Sequence, residues 1–319
     1  MTISGSSSFV GTLVFYSEFD DFETWKQALQ AQLPTLRVLH SNEVNDPKVI
    51  DFALVWKPPE GFFREMPQLK LIVNLGAGVD SLVSRADLPP NVPITRISDP
   101  QMARMMAGYV LFATLRHARD IPFFEQAQRR GQWVYRHPRN PEDVRVAVLG
   151  LGQLGACAAT ELQRQGLTVL GWSRRPRQID GVQCHAGLET LDLVLSHADI
   201  LVIMLALTPQ TRGLLDRNRL ARLPRGAAVI NVARGSLIDQ TALAELLQSG
   251  HIGSATLDVF EKEPLPEDDP LWQLPNVLIT PHLASVAIPA SAAMQIAGNL
   301  VCVANGEPLA NQIDIGLGY

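Results

Sequence analysis

The stretch Arg145-Val146-Ala147-Val148-Leu149-Gly150-Leu151-Gly152-Gln153-Leu154-Gly155 runs from a short apolar segment straight into a Gly-x-Gly-x-x-Gly string. Arg145 to Leu149 reads as a buried strand, and Leu154 to Gln165 as the helix that follows it. Strand, glycine turn and helix in that order make the phosphate end of a dinucleotide-binding unit. Gly150 permits the tight turn, Gly152 lets a pyrophosphate approach the backbone, and Gly155 lets the helix pack on the strand. The N–H groups of Gln153 and Leu154 then point at the phosphates, with the helix dipole behind them. With 23 glycines in the chain, the string alone is weak, and a bare strand-to-helix turn uses the same residues. Its place between a strand and a helix carries the reading.

The alternation extends in both directions. Downstream, Leu167 to Trp172, Asp199 to Leu205, Ala227 to Val232, Ser254 to Val259 and Val277 to Thr280 are apolar runs of strand length. Gly166 stops the first helix, and Asp239 caps another that runs to Gln248. Upstream, Leu13 to Tyr16, Phe52 to Trp56 and Leu69 to Leu75 read as strands. Phe22 to Leu33 reads as a helix with Phe22, Trp25, Leu29 and Leu33 on one face. Continuous apolar strands separated by helices predict parallel sheets covered on both faces. The fold class is therefore α/β, with a flavodoxin-like doubly wound domain first and a Rossmann cofactor domain from Val144 onward. Met102 to Ala118 reads as a long crossing helix, Gln128 to Asn140 as a basic surface loop, and Pro289 to about Asn305 as a last helix.

Composition sets the outer bounds. The chain has 319 residues, enough for two cores, with 46% hydrophobic and 18% charged residues, as in an ordinary globular protein. A net charge of −5 argues against nucleic acid as a partner. The longest apolar run, Ile200 to Leu207, is far short of the ~18 residues of a membrane span. Met1 to Ser8 is small and polar, without a signal core, and reads as a frayed end. Cys157, Cys184 and Cys302 form no framework, so a reducing cytoplasm is expected. No metal-type spacing appears among the histidines, and no metal is expected.

The end of the second Rossmann strand bears on the cofactor. An NAD-binding chain places Asp or Glu there, about 20 residues after the glycines, to hold the ribose 2′-hydroxyl. Here Trp172 is followed by Ser173-Arg174-Arg175-Pro176-Arg177. A hydroxyl and arginines accept a 2′-phosphate that a carboxylate would repel. NADP(H) is expected, with NAD(H) the weaker alternative; a solvated basic turn is the plainer reading of the same residues.

Three single side chains follow later apolar runs. Arg234 comes after Val229-Ile230-Asn231-Val232-Ala233, Glu263 after Asp258-Val259-Phe260-Glu261-Lys262, and His282 after Val277-Leu278-Ile279-Thr280-Pro281. In open α/β sheets ligands bind beyond the carboxyl ends of strands. An arginine there can grip a carboxylate and lie near a keto oxygen. A histidine is the natural acid near neutral pH, and a glutamate can orient its ring. Singly, each has a bland explanation as a surface charge, a turn residue or a structural imidazole. Their order behind a glycine loop matches what hydride transfer to a 2-keto acid requires.

The segments Asn231-Val232-Ala233-Arg234-Gly235, Leu257-Asp258-Val259-Phe260, Glu263-Pro264-Leu265, Thr280-Pro281-His282 and Asn74-Leu75-Gly76-Ala77-Gly78-Val79-Asp80 resemble the signatures of the D-isomer-specific 2-hydroxyacid dehydrogenase family. Ala53 to Pro59, Leu75 to Leu82, Trp172-Ser173-Arg174 and the terminal Gly318-Tyr319 are similar to members that reduce small 2-keto acids, glyoxylate and hydroxypyruvate, with NADPH. The resemblance implies catalytic roles for Arg234, His282 as proton donor and Glu263 behind it. It also implies a substrate site with Trp56, Gly76, Ala77, Gly78 and Arg234. Ala77 and Gly78 would offer N–H groups to the carboxylate, the glycines permitting positive φ. Asp258 would bond the nicotinamide carboxamide, and Thr211, Val232 and Ala284 would line the cofactor cleft. The family further implies residues 1–103 with 286–319 as the substrate domain, 104–285 as the inserted NADP domain, and a homodimer. Two features depart from the pattern: Gly108 precedes Tyr109 where a Glu is frequent, and Leu283-Ala284-Ser285 follows the histidine. Bulkier 2-keto acids of phenylpyruvate type remain an alternative, as does a nucleotide-sensing dimeric scaffold of corepressor type.

Overall fold

The computed structural model describes residues 9–316; the Met1 to Ser8 and Gly318-Tyr319 stretches read above lie outside them. The described residues form two compact units. One comprises those up to Met102 together with those from Val286 onward, the other Ala103–Ser285.

The first unit begins β1 (Gly11–Tyr16), α1 (Phe22–Gln32), β2 (Leu36–His40), β3 (Phe52–Val55), β4 (Leu71–Asn74), the short α2 (Asp80–Val83) and β5 (Ile94–Arg96). Its strands are all parallel, in the flavodoxin-like order β2-β1-β3-β4-β5. Every residue of β3 and β4 is buried, as a strand covered on both faces must be. Asp21 caps α1 by accepting from the Thr24 N–H at 2.8 Å. Trp25 and Leu29 are buried on its inner face, while Leu33 is buried just beyond the helix as its C-cap.

The crossing helix α3 (Pro100–Ala118) leads to α4 (Ile121–Arg129), β6 (Arg145–Leu149), α5 (Gln153–Arg164), β7 (Thr168–Ser173), β8 (Gln183–Ala186) and α6 (Leu188–Ser196). There follow β9 (Ile200–Ile203), α7 (Arg217–Leu220), β10 (Ala227–Asn231), α8 (Gln240–Gln248), β11 (Ile252–Leu257) and β12 (Val277–Ile279). These strands are also all parallel, in the order β12-β11-β10-β9-β6-β7-β8. Counted from β6, this is the doubly wound dinucleotide-binding order with one strand added at the far edge. The order reverses between β6 and β9, directly beside the glycine loop.

The chain closes with α9 (Pro289–Asn305), which returns to the first unit and lies against α1. Ala292, Ala293, Ile296, Ala297 and Leu300 of α9 share one core with Phe15, Trp25, Leu29 and Leu33. The Rossmann unit is thus inserted between β5 and α9. Among the described residues no helix is long and apolar enough to cross a membrane.

Candidate active site

The glycine loop follows β6 into α5. Gly150 has φ +105°, and a Cβ on it would lie 2.5 Å from the Met204 carbonyl oxygen, so both backbone and space demand glycine. A Cβ on Gly155 would fall on the carbonyl oxygen of Gly150. Gly152 is different: nothing lies within 4 Å of its would-be Cβ, and no side chain caps the helix it begins. The start of α5, with Gln153 and Leu154, therefore has the open approach and the helix N-terminus that a pyrophosphate needs. At the end of β7, Ser173 Oγ donates to the Arg175 carbonyl at 2.7 Å, while Arg174 and Arg175 are exposed.

Three adjacent strands, β10, β11 and β12, carry the other candidates at their carboxyl ends. After β10, the buried Asn231 braces the turn: its Nδ2 donates to the Arg234 carbonyl at 3.0 Å, and its Oδ1 accepts from the Ala233 N–H at 3.1 Å. Arg234 is half-buried and extended, with Nη1 donating to the Ala233 carbonyl at 2.7 Å. A Cβ on Gly235 would fall among the backbone atoms of Phe260 and Glu261. The β10 and β11 loops therefore touch backbone to backbone.

Glu263 and His282 meet. The imidazole Nδ1 lies 2.8 Å from Glu263 Oε2, while Oε1 accepts from the Phe260 N–H at 3.1 Å. Both side chains are about a quarter exposed, at 28% and 23%. The turn bearing His282 is wound around Asp258, which is 1% exposed. Asp258 Oδ1 accepts from the Thr280 hydroxyl at 2.6 Å and the Leu283 N–H at 2.9 Å, and Oδ2 from the Ala284 N–H at 2.9 Å. The His282 N–H donates to the Asp258 carbonyl at 2.8 Å. Tyr109 lies 2.6 Å from Thr280 Oγ1; since Thr280 donates to Asp258, Tyr109 is the donor. Burial pushes the Tyr109 phenol above its ordinary value.

Val232 and Ala284 are both buried in the core beneath the glycine loop, with Val148, Leu151 and Ala158. Thr211 turns its hydroxyl inward on its own loop, donating to the Ala206 carbonyl at 2.7 Å and accepting from the Thr208 N–H at 2.8 Å.

In the first unit, the candidate substrate loop follows β4. Asn74, fully buried, donates through Nδ2 to the carbonyls of Gly76 at 2.8 Å and Gly78 at 2.9 Å. A trans peptide opposes its C=O and N–H, so capture of the Gly76 carbonyl by this buried amide turns the Ala77 N–H outward. Trp56, at the end of β3, lies over Gly76, where a Cβ would come within 2.6 Å of the indole. Positive φ was the expected reason for glycine here; Gly76 does not adopt it, and the indole's need for space is the reason instead.

Residues 111–284 match the model of the D-isomer specific 2-hydroxyacid dehydrogenase NAD binding domain. The chain belongs to that family. This dehydrogenase is 37% identical over 312 residues to glyoxylate/hydroxypyruvate reductase A of Serratia proteamaculans, covering 96% of this chain and 99% of that one. It is 57% identical to a solved D-isomer specific 2-hydroxyacid dehydrogenase of Xanthobacter autotrophicus in complex with NADPH and MES, with a TM-score of 0.93 and coverage of 98% and 100%. It is 32% identical to an NADPH-dependent glyoxylate/hydroxypyruvate reductase of Sinorhizobium meliloti in complex with NADP and sulfate, with a TM-score of 0.91 and coverage of 97% and 100%. The protein is accordingly an NAD(P)-dependent oxidoreductase.

The candidate site of this dehydrogenase is also held together by residues that the sequence alone does not single out. Asn74 and Asn231 each end a strand and brace the loop after it, and Thr280, itself bonded by the Tyr109 hydroxyl, donates to the Asp258 carboxylate. The signal for the two asparagines was a buried amide closing an apolar run, a costly choice unless the amide braces something.

Proposed function

We propose that this dehydrogenase reduces small 2-keto acids, glyoxylate and hydroxypyruvate foremost, with NADPH. The observation that carries the reading is the 2.8 Å His282–Glu263 pair at the ends of two adjacent strands, with Arg234 at the end of the next. Glu263 accepts a hydrogen bond from Nδ1–H, so Nε2 carries the proton that an alkoxide receives. Arg234 grips the substrate carboxylate and polarises the keto oxygen. In the first unit, the N–H groups of Ala77 and Gly78 are assigned to the carboxylate and Trp56 to the wall of the substrate site. The indole over Gly76 leaves that loop little room, which favours a small acid.

NADPH, when bound, supplies the hydride to the keto carbon. Gly150, Gly152, Gln153, Leu154 and Gly155 would hold its pyrophosphate, and Ser173, Arg174 and Arg175 its 2′-phosphate. Asp258, Thr211, Val232 and Ala284 would border the nicotinamide side, the last two chiefly through backbone. The Xanthobacter and Sinorhizobium proteins, described with NADPH and NADP, support the coenzyme, and the Serratia reductase supports the substrates. NAD(H) is the weaker coenzyme.

We also propose a homodimer in the reducing cytoplasm. Trp133 is fully exposed and Tyr135 is 79% exposed on the second unit, apolar surface that a partner copy would cover. Cys157, Cys184 and Cys302 are free.

Steady-state NADPH oxidation with glyoxylate, hydroxypyruvate, pyruvate and phenylpyruvate tests the substrate. The highest kcat/KM is expected on glyoxylate or hydroxypyruvate, and a preference for the aromatic acid would overturn the assignment. Tight NADPH binding with no turnover would favour a nucleotide-sensing scaffold. Replacing Arg174 and Arg175 by alanine is expected to raise KM for NADPH about tenfold or more, with little change for NADH.

A further inference from the structure

Arg96 is the last residue of β5, and its register partner on β4 is Asn74, the residue that braces the candidate substrate loop. On the other side of β4, Val55 pairs with Asn74, and Trp56 follows it. Arg96, Asn74 and Trp56 therefore stand at the carboxyl edge of three adjacent strands, where open α/β sheets bind their ligands.

The backbone of Arg96 is held on both sides. Its N–H donates to the Asn311 carbonyl at 3.2 Å, and its carbonyl accepts from Gln295 Nε2 of α9 at 2.8 Å. Ile313 N–H donates to the Ile94 carbonyl at 2.8 Å one step earlier. The side chain so aimed is half-buried, and among the described residues no carboxylate forms an ion pair with it. Among the described residues its one side-chain hydrogen bond runs from Nη1 to the Ala77 carbonyl, at 3.4 Å. Burial lowers its affinity for the proton, yet a guanidinium stays charged. A partly desolvated cation without a counter-ion is costly to the fold, and such a cost is commonly retained where a ligand supplies the missing charge.

We propose that Arg96 is a specificity-determining residue of the substrate loop. It holds the Ala77–Gly78 peptide through the Ala77 carbonyl, so that the opposed Gly78 N–H is left to face an anionic 2-keto acid, and adds an unneutralised positive charge to that end of the sheet. The inference rests on the assignment of that loop to the substrate carboxylate. Nη1 holds the peptide plane, which sets the direction of the Gly78 N–H. Tight peptide positioning and an extra cation both act on substrate capture, so the effect belongs in KM.

Arg96→Gln and Arg96→Lys, assayed beside the wild-type protein with NADPH and glyoxylate, test this. Arg96→Gln is expected to raise KM for glyoxylate about tenfold or more, with KM for NADPH within about twofold of wild type. Arg96→Lys, which keeps the charge but lacks the planar fork, is expected to raise it a few-fold and serves if the glutamine variant does not fold. The thermal midpoint is expected to hold or rise, because no ion pair is lost. An unchanged KM for glyoxylate in either folded variant overturns the proposal while leaving the loop assignment standing. So does a lowered midpoint with NADPH and glyoxylate affected alike, which marks a structural role. A wild-type protein that turns over no 2-keto acid overturns both.

Discussion

His282 holds a backbone φ of +57°, a region few non-glycine residues occupy. Its N–H is shared between the Asp258 and Thr280 carbonyls, and the next two N–H groups are taken by the Asp258 carboxylate. The turn is over-determined, which is how such a conformation persists. With the ring fixed by Glu263, loss of the proton donor should show in turnover more than in binding. His282→Gln is expected to lower kcat by about 10²–10⁴-fold at near-constant KM for NADPH. Glu263→Gln keeps a hydrogen-bond acceptor but not the charge, so a smaller fall in kcat is expected. Equal kcat in wild type and His282→Gln, measured under saturating NADPH, would remove the imidazole from the chemistry. The three candidate side chains, Arg234, Glu263 and His282, stood out in sequence because each follows an apolar run, and those runs end at the same edge of a sheet. Asn231, Thr280 and Tyr109 were not, because what they do depends on which carbonyl or carboxylate the fold brings to them.

Among the elements, strands covered on both faces were the easiest to read: β3, β4, β6, β9 and β10 are near-continuous apolar runs. The strands β2, β5 and β8 were missed. Leu36–His40 alternates with charge at a sheet edge, Ile94–Arg96 has three residues, and Gln183–Ala186 is a half-exposed edge. Missing β5 concealed Arg96. The glycine that joins two elements is also a tertiary fact. A Cβ on Gly235 has nowhere to go, since Phe260 and Glu261 offer backbone and not a yielding side chain. Gly235→Ala is expected to cost about 3 kcal/mol or more in urea unfolding and to depress kcat, because it parts the Arg234 loop from the Glu263 loop. A second tie joins α3 to β11, where the His117 ring lies 2.8 Å from Ser254 Oγ and 3.0 Å from Thr256 Oγ1. Burial, with Arg116 nearby, pushes this imidazole down to about 3. The folded chain therefore keeps it neutral, while the unfolded chain takes up a proton below about 6.5. Between those values the unfolded state holds more protons, so stability is intact above that window and falls as pH drops through it. The slope is about 1.4 kcal/mol per pH unit. Between pH 7 and pH 5, wild type should lose about 2 kcal/mol more than His117→Gln, by denaturant titration at each pH. Parallel losses in the two proteins would show that the acid sensitivity lies elsewhere.

At the scale of the whole molecule, a chain that leaves its first unit at α3 and returns at α9 must finish one core with its last helix. Trp25, Leu29 and Leu33 were legible as an apolar face, but sequence could not say what covers it; Ile296 and Leu300, more than 250 residues later, do. The Rossmann unit has its own cores, centred on residues such as Val148, Ile230, Leu201 and Leu257. A cavity cut in the first core should therefore leave the glycine loop untouched. Ile296→Ala is expected to destabilise the first unit by about 2–5 kcal/mol. In calorimetry its transition should fall, while the transition that NADPH raises stays where it was. At a free NADPH concentration of 100 times Kd, that second transition should gain about 2.7 kcal/mol in both proteins. The Kd for NADPH, read by tryptophan fluorescence, is expected to differ by less than about twofold. A Kd that weakens in step with the lost stability would mean that the two cores unfold as one cooperative body, and that the insertion is topological without being energetic.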